Sequence, residues 1–210
     1  MSIIGHRDGK LFVISGPSGA GKGTICKALM EDSDPARLAL SVSMTTRQPR
    51  EGEVHGVHYF FVTMEEFLQT IEEDGFLEHA EVYGNRYGTP KAMVLEQLSK
   101  GVDVILEIDI QGALNVKRAY PEGIFIFILP PSMTELRKRL TGRGTDSPEQ
   151  IDLRLSKTLS EIAYIEEYDY CVVNGELDEA VRRVKAILIA EHSRVTENAE
   201  DLLKAYKEEK

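Results

Sequence analysis

A short apolar run, Leu11-Phe12-Val13-Ile14, leads into Gly16-Pro17-Ser18-Gly19-Ala20-Gly21-Lys22-Gly23-Thr24, and a second apolar stretch, Ile25 to Met30, follows at once. No other part of the chain limits the fold as much. Four apolar residues ending at a glycine-rich turn read as a buried strand, and the run behind the turn reads as a helix. Strand, glycine-rich loop and helix in that order are the context of a phosphate-binding P-loop. Glycines at 16, 19 and 21 let successive backbone N–H groups converge on an anion. The helix start adds its partial positive charge and Lys22 adds a full one. Gly16, Ser18, Gly19, Ala20, Gly21, Lys22, Gly23 and Thr24 are therefore the candidate contacts of the phosphate.

The strict pattern puts Ser or Thr directly after the lysine to hold magnesium, but Gly23 stands there and the nearest hydroxyl, Thr24, comes one residue later. This variant resembles the Gly-Lys-Gly-Thr form of adenylate kinases. Phosphate binding is untouched by the change, while the hydroxyl that meets the metal is left open.

At 210 residues the chain suits one domain, or one domain with an inserted lobe, and can bury a substantial core. Its 25 basic and 35 acidic residues give a net charge of -10. Proteins that grip a nucleic-acid backbone usually show a basic balance or stripe, so the expected partner is a small nucleotide and not a polymer. Cys26 and Cys171 are too far apart for a metal-type pair and read as buried small hydrophobes. The histidines show no ligand spacing. No apolar stretch is long enough to span a membrane, and residues 1–10 lack the apolar core of a signal peptide, so a soluble cytoplasmic protein is expected. Whether copies form a homo-oligomer is left open.

Past the first helix, Asp32 to Pro35 reads as a stop, Leu38 to Ser43 as a strand, and Met44 to Gly56 as a polar loop carrying Arg47 and Arg50. Tyr59 to Val62 reads as a strand with Phe60 turned toward the core. Thr63 and Glu66 carry a capping-box signature for a helix to about Asp74, with Phe67, Leu68 and Ile71 as its apolar face. Phe76 to Tyr83 is a strand, Gly84 to Gly88 a turn, and Thr89-Pro90 opens a helix with proline in its first position. Val102 to Asp109 reads as a strand ending in two carboxylates, Glu107 and Asp109, on one face. Helix, strand Gly123 to Leu129, a helix carrying Arg139, the loop Gly142 to Pro148, a helix to Glu167, strand Tyr170 to Val173 and a charged helical remainder follow. Strands alternating with helices imply an α/β fold, a mostly parallel sheet covered on both faces, with phosphates at the strands' carboxyl ends. Residues 44 to 88 break that alternation and read as an inserted lobe.

Five segments carry a wider resemblance. They are Gly16 to Lys22, Ser43 to Arg50 with Gly52-Glu53-Val54, Tyr87-Gly88-Thr89, Ile108 to Gly112, and Gly142-Arg143-Gly144-Thr145. In this order and spacing, across about Lys10 to Glu191, the chain resembles the guanylate kinases, most closely the bacterial type. The resemblance implies a P-loop nucleoside monophosphate kinase-like parallel sheet core at about 10–43 and 89–191 and a mixed α/β GMP-binding lobe at about 44–88. A helical lid at about 139–155 completes the implied organisation, and the charged remainder at about 192–210 reads from its own residues as a C-terminal helix. The implied reaction is phosphoryl transfer from magnesium-bound ATP to GMP, with dGMP expected as well. Carried over residue by residue, it assigns the GMP phosphate to Arg47, Arg50, Tyr59 and Tyr87, and guanine to Ser43, Glu78, Thr89 and Asp109. The ATP phosphates fall to the P-loop with Lys22, Arg139, Arg143 and Arg154, and the adenine to the neighbourhood of Arg143 and Asn174.

The chemistry of each role is sound on its own. Guanine's N1–H and amino group are donors, which suits the acceptor-only carboxylates of ionised Glu78 and Asp109, and its O6 suits a hydroxyl from Ser43 or Thr89. A phosphate dianion suits two guanidinium forks. Glu107, near the P-loop, is a candidate outer-shell magnesium carboxylate beside Thr24, the alternative being a structural pairing with an arginine. Two rival functions exist. A non-catalytic guanylate kinase-like binding module typically lacks a working P-loop, whereas Lys22 and its glycines are intact. A kinase for another nucleoside monophosphate has no use for two carboxylates placed to accept from guanine. The Gly142–Pro148 loop and the lobe are the parts expected to move.

Overall fold

A computed structural model of the chain describes residues 8–31, 33–34, 37–82, 84–142, 147–195 and 199–208. β1 (Leu11–Ser15) is buried along its whole length, and α1 (Lys22–Glu31) starts at the P-loop lysine. Next come β2 (Leu38–Leu40), β3 (Met44–Thr45), β4 (Phe60–Phe61), α2 (Met64–Glu72), β5 (Phe76–Val82), β6 (Asn85–Pro90) and α3 (Lys91–Ser99). β7 (Asp103–Glu107), α4 (Ile110–Ala119), β8 (Ile124–Leu129), α5 (Met133–Gly142) and α6 (Pro148–Ile162) follow. A 3-10 turn (Ala163–Glu167), β9 (Tyr170–Val173), α7 (Leu177–Glu191) and α8 (Ala199–Glu208) complete the described chain.

Five strands in the order β2-β7-β1-β8-β9 form one sheet in which every pairing is parallel. Alternation along β1 feeds two core layers. Phe12 and Ile14 pack with Ile25, Leu29 and Val184 beneath α1 and α7, while Leu11 and Val13 pack with Val94, Leu98 and Val116 beneath α3 and α4. Truncating the fully buried Phe12 to alanine removes packing worth about 3–5 kcal/mol. β1 has β7 on one side and β8 on the other, so the P-loop leaves the sheet where connections run to opposite sides. That crevice is where open α/β sheets bind their ligands. A separate sheet, β4-β3-β6-β5, has mixed pairing, and Phe67 of α2 stacks on Phe76 of β5 at 4.6 Å.

The capping box at α2 forms, with Thr63 and Glu66 each accepting from the other's backbone N–H. Other local readings change. Leu68 lies one residue round α2 from the buried Phe67 and is exposed. Met44 and Thr45, read as loop, become a strand because they pair with both β4 and β6. β4 is an edge strand, which leaves Phe60 only partly buried. Asn85 to Gly88 is the first part of β6 and not a turn, and Pro90 is the N-cap of α3 instead of its first residue. β7 stops at Glu107, and Asp109 is the N-cap of α4, so strand alternation does not relate the two carboxylates. Cys26 is buried as expected, but Cys171 is exposed. It sits on β9, the edge of the large sheet, where alternation turns Val172 inward and Cys171 out.

Candidate active site

The P-loop is closed from behind by Asn174. Gly21 adopts a φ of 93°, and a Cβ on it would stand 2.3 Å from the Asn174 amide nitrogen, so no other residue fits there. Lys22 Nζ donates to the carbonyl oxygens of Gly16 at 2.6 Å and Pro17 at 3.3 Å, which lays the ammonium across the loop. Burial lowers its pKa, and the carboxylates of Glu107, Glu161 and Asp109 oppose that shift. Gly23 and Thr24 are exposed on the first turn of α1. The Glu107 carboxylate oxygens lie 3.2 and 3.5 Å from where a Gly23 Cβ would be, so a larger residue after Lys22 would crowd that carboxylate.

Three more of the expected residues meet at the loop. Arg154 of α6 donates Nη1 to Ser18 Oγ at 3.3 Å. Arg139 of α5 donates Nη2 to the Asn174 carbonyl at 2.9 Å and Nε to Glu135 at 3.2 Å. Asn174 is buried, with its amide directed to the Ala20 carbonyl at 2.8 Å. Arg143 lies outside the described residues.

Between the second sheet and the β7–α4 connection lies a cavity of about 310 Å³, lined by Ser43, Arg47, Arg50, Tyr59, Glu78, Tyr87 and Asp109, with Glu107, Ile108 and Gly112. Small-molecule sites occupy about 300–1,000 Å³, so one nucleotide-sized ligand suits it. Every residue expected to hold the acceptor lines this cavity except Thr89, which stands behind Glu78. Its hydroxyl donates to Glu78 Oε1 at 2.8 Å because β5 and β6 pair those two residues across the strands. In this arrangement the hydroxyl is directed to the carboxyl. Burial pushes the Glu78 carboxyl up to about 7; the Thr89 hydrogen bond opposes that rise and the Asp109 charge adds to it. A fully ionised Glu78 at neutral pH is therefore replaced by a carboxyl near its midpoint.

Asp109 caps α4, accepting from the Gly112 N–H at 2.7 Å. Glu78 Oε2 and Asp109 Oδ1 lie 3.2 and 3.3 Å from the Cβ position of Gly112, so glycine there gives both carboxylates room at one wall. On the opposite side, Arg47 Nη2 pairs with Glu53 Oε1 at 2.8 Å, and its guanidinium stands 5.4 Å from the Tyr59 ring centroid. Glu53 Oε2 accepts from the Arg50 N–H at 2.8 Å, so one carboxylate ties both arginine positions together. Those two donors hold the Glu53 carboxyl down to about 2. The Tyr59 and Tyr87 rings meet edge to face at 6.0 Å.

Glu53, Gly112 and Glu161 escaped the sequence reading as site residues. Glu53 had a local signal, an acid three residues after Arg50 within a glycine-containing turn, and Gly112 sits three residues after a capping aspartate. Glu161 had none, since only folding brings α6 over the loop.

A parallel sheet whose central strand runs into a P-loop, beside a cavity of arginines, tyrosines and carboxylates, defines a P-loop kinase-like α/β protein. Residues 8–191 match the family model for guanylate kinase. The chain is 56% identical over 206 residues to the guanylate kinase of Clostridium perfringens, covering 97% of this chain and 94% of that protein. It is 57% identical over 208 residues to that of Caldanaerobacter subterraneus subsp. tengcongensis, covering 99% of each. A crystal structure of guanylate kinase from Anaplasma phagocytophilum matches with a TM-score of 0.75 at 36% identity, over 94% of this chain and 95% of that one. The chain belongs to the guanylate kinase family. No helix among the described residues is long and apolar enough to cross a membrane.

Proposed function

We propose that the chain transfers the terminal phosphoryl group of ATP to GMP, giving ADP and GDP, with the donor phosphates on the P-loop and GMP in the cavity. One observation carries the reading: two arginines, two tyrosines and three carboxylates line a single cavity whose wall, at Glu107, reaches the first turn of α1. The GMP phosphate is held by Arg47, Arg50, Tyr59 and Tyr87, and guanine by Ser43, Glu78 and Asp109, with Thr89 orienting Glu78. The attacking phosphate oxygen is already ionised, so transfer needs no general base, and among the described residues no histidine lines the cavity. Lys22, Arg139 and Arg154 supply fixed positive charge as the phosphoryl group moves.

Magnesium fits the oxygen donors present. The Glu107 carboxylate lies against Gly23, next in sequence to Thr24, and no three acidic, histidine or cysteine groups among the described residues form a metal cage. That set suits an ion held by one or two protein oxygens together with the nucleotide's phosphates. When bound, magnesium would neutralise charge across the β and γ phosphates. Because the cavity is lined from the second sheet and from the β7–α4 connection, approach of these two parts would exclude water, which would otherwise accept the phosphoryl group.

The test is ADP release at saturating magnesium-ATP across GMP, dGMP, AMP, UMP and CMP. A site built on hydrogen bonds to guanine should prefer GMP over AMP by roughly 10⁴-fold. Comparable rates with GMP and AMP would overturn the assignment of the cavity.

A further inference from the structure

Gly112 is buried in the first turn of α4, just after the capping Asp109. It is not among the glycines with positive φ, so an alanine could adopt the same backbone. Within a helix alanine is also the better residue. Local preference thus runs against the glycine, and the reason for it lies in what surrounds it. The three atoms nearest to a Cβ built on Gly112 all belong to carboxyl groups: Glu78 Oε2 at 3.2 Å, Asp109 Oδ1 at 3.3 Å and Glu78 Cδ at 3.5 Å. The Asp109 approach belongs to the helix cap, whose bond from the Gly112 N–H measures 2.7 Å. Glu78 has no such local cause, because it arrives from β5 of the second sheet. No apolar side chain and no main-chain atom of β5 comes as near, so close packing of helix on strand does not call for the glycine.

We propose that Gly112 is a specificity-determining residue of the acceptor site. Its missing Cβ is the space that lets Glu78 lie beside Asp109 on one wall of the cavity, where both carboxyls can accept from one edge of a base. Gly112 itself lines that cavity. Neither carboxyl retreats freely: Glu78 is buried with Oε1 accepting from the Thr89 hydroxyl at 2.8 Å, and Asp109 Oδ1 is the cap acceptor. A methyl group at position 112 would have to move Glu78 by a few tenths of an ångström. That shift turns one acceptor away from the other and leaves charge, P-loop and phosphate-binding arginines untouched. A buried donor that loses its acceptor costs its full desolvation, so a base read by hydrogen bonds responds to such a displacement.

The inference rests on the reading of the cavity as the GMP site, and the experiment separates the two. Gly112→Ala is compared with wild type in titrations of GMP, IMP and AMP without ATP, in initial rates with magnesium-ATP, and in thermal unfolding. IMP keeps guanine's N1–H and lacks its amino group, so the GMP-to-IMP ratio reports how the two acceptors are set relative to each other. The expected result is GMP binding weakened roughly 10-fold or more, with a KM for ATP within about twofold of wild type. The GMP-to-IMP preference should fall severalfold, and the unfolding temperature should change little, since better helix preference opposes the displaced carboxyl. Glu78→Asp shortens the carboxyl by one methylene and withdraws it from the new methyl, so in the double variant the loss should be smaller than the product of the single losses. Unchanged GMP affinity in folded Gly112→Ala would overturn the proposal. So would equal weakening of GMP and IMP, which would make the glycine a packing residue. Should Gly112→Ala fail to fold, the double variant decides: recovered folding supports Glu78 as the group the methyl meets, and no recovery overturns the proposal. A wild type that binds AMP as well as GMP would instead overturn the assignment of the cavity, and this inference with it.

Discussion

Glu78→Gln should make the free protein more stable and the enzyme worse. Glu78 is 8% exposed, and burial pushes its carboxyl from 4.5 up to about 7. The folded protein therefore binds this proton more tightly than the unfolded chain does. The stabilisation linked to it is fully present below about 4.5 and is lost as pH rises to about 7. At pH 8 the wild type carries a buried carboxylate that costs on the order of 3 kcal/mol relative to the neutral form, taking about 1.4 kcal/mol per pKa unit. Glutamine is neutral throughout and keeps an oxygen for the Thr89 hydroxyl, so it removes the cost without orphaning the donor. At roughly 2–4 °C per kcal/mol for a chain of this size, the variant should unfold about 6–12 °C higher than wild type at pH 8, the gap closing toward pH 5. Its kcat/KM for GMP should fall roughly 100-fold, the worth of a charged hydrogen bond to guanine lost from a buried site. Thermal unfolding from pH 5 to 8 and initial rates with GMP measure both effects. A gap in unfolding temperature that does not change with pH would refute the argument, because Glu78 would then not be titrating in that window.

Other substitutions test the remaining geometry. Lys22→Ala should fold normally and lose turnover by on the order of 100-fold or more, as the moving phosphoryl group loses its fixed cation; an unchanged kcat would remove the lysine from the mechanism. Arg50→Ala should raise the KM for GMP far more than that for ATP, and the reverse pattern would mean the two phosphate sites have been exchanged. Glu53→Gln should release Arg47 from its ion pair and loosen the 47–53 turn, lowering kcat severalfold with a smaller change in the KM for GMP, and a loss seen only in KM would count against an orienting role.

What could be read from the sequence was decided by neighbours in the chain. The strand–loop–helix order around Gly16 to Thr24 follows from glycine and apolar spacing, and the Thr63–Glu66 cap closes over three residues. Register and strand order are decided elsewhere. The Thr89 hydroxyl was legible as a donor, but its acceptor in the structure, Glu78, depends on how β5 and β6 pair. Asn174 reaches Ala20 across 154 positions, a separation no local pattern encodes. Cys171 looked like a core residue because its strand is apolar, and it is exposed because that strand lies at the sheet's edge. The raised Glu78 pKa has the same origin, for its cause is burial, which is a property of the packed chain and not of the residues beside it.

A chain with a net charge of -10 must still bind two polyanions. At physiological ionic strength exposed charges are screened beyond about 8 Å, so capture depends on the few cations that reach the ligand and not on the total. Those cations are held differently. Arg47 has one terminal nitrogen on Glu53 and the other on the Gln48 carbonyl, and Arg139 is held by Glu135 and the Asn174 carbonyl, whereas the Arg50 side chain lies exposed at the cavity. A tethered guanidinium is already oriented and loses little freedom when a phosphate arrives, but part of its charge is answered in advance. An exposed one gains its first strong partner from the ligand. Arg50 should therefore dominate the binding of the acceptor phosphate, and Arg47 its orientation, which is why the Arg50 substitution is expected in KM and a displaced Arg47 would act through the geometry of the bound nucleotide.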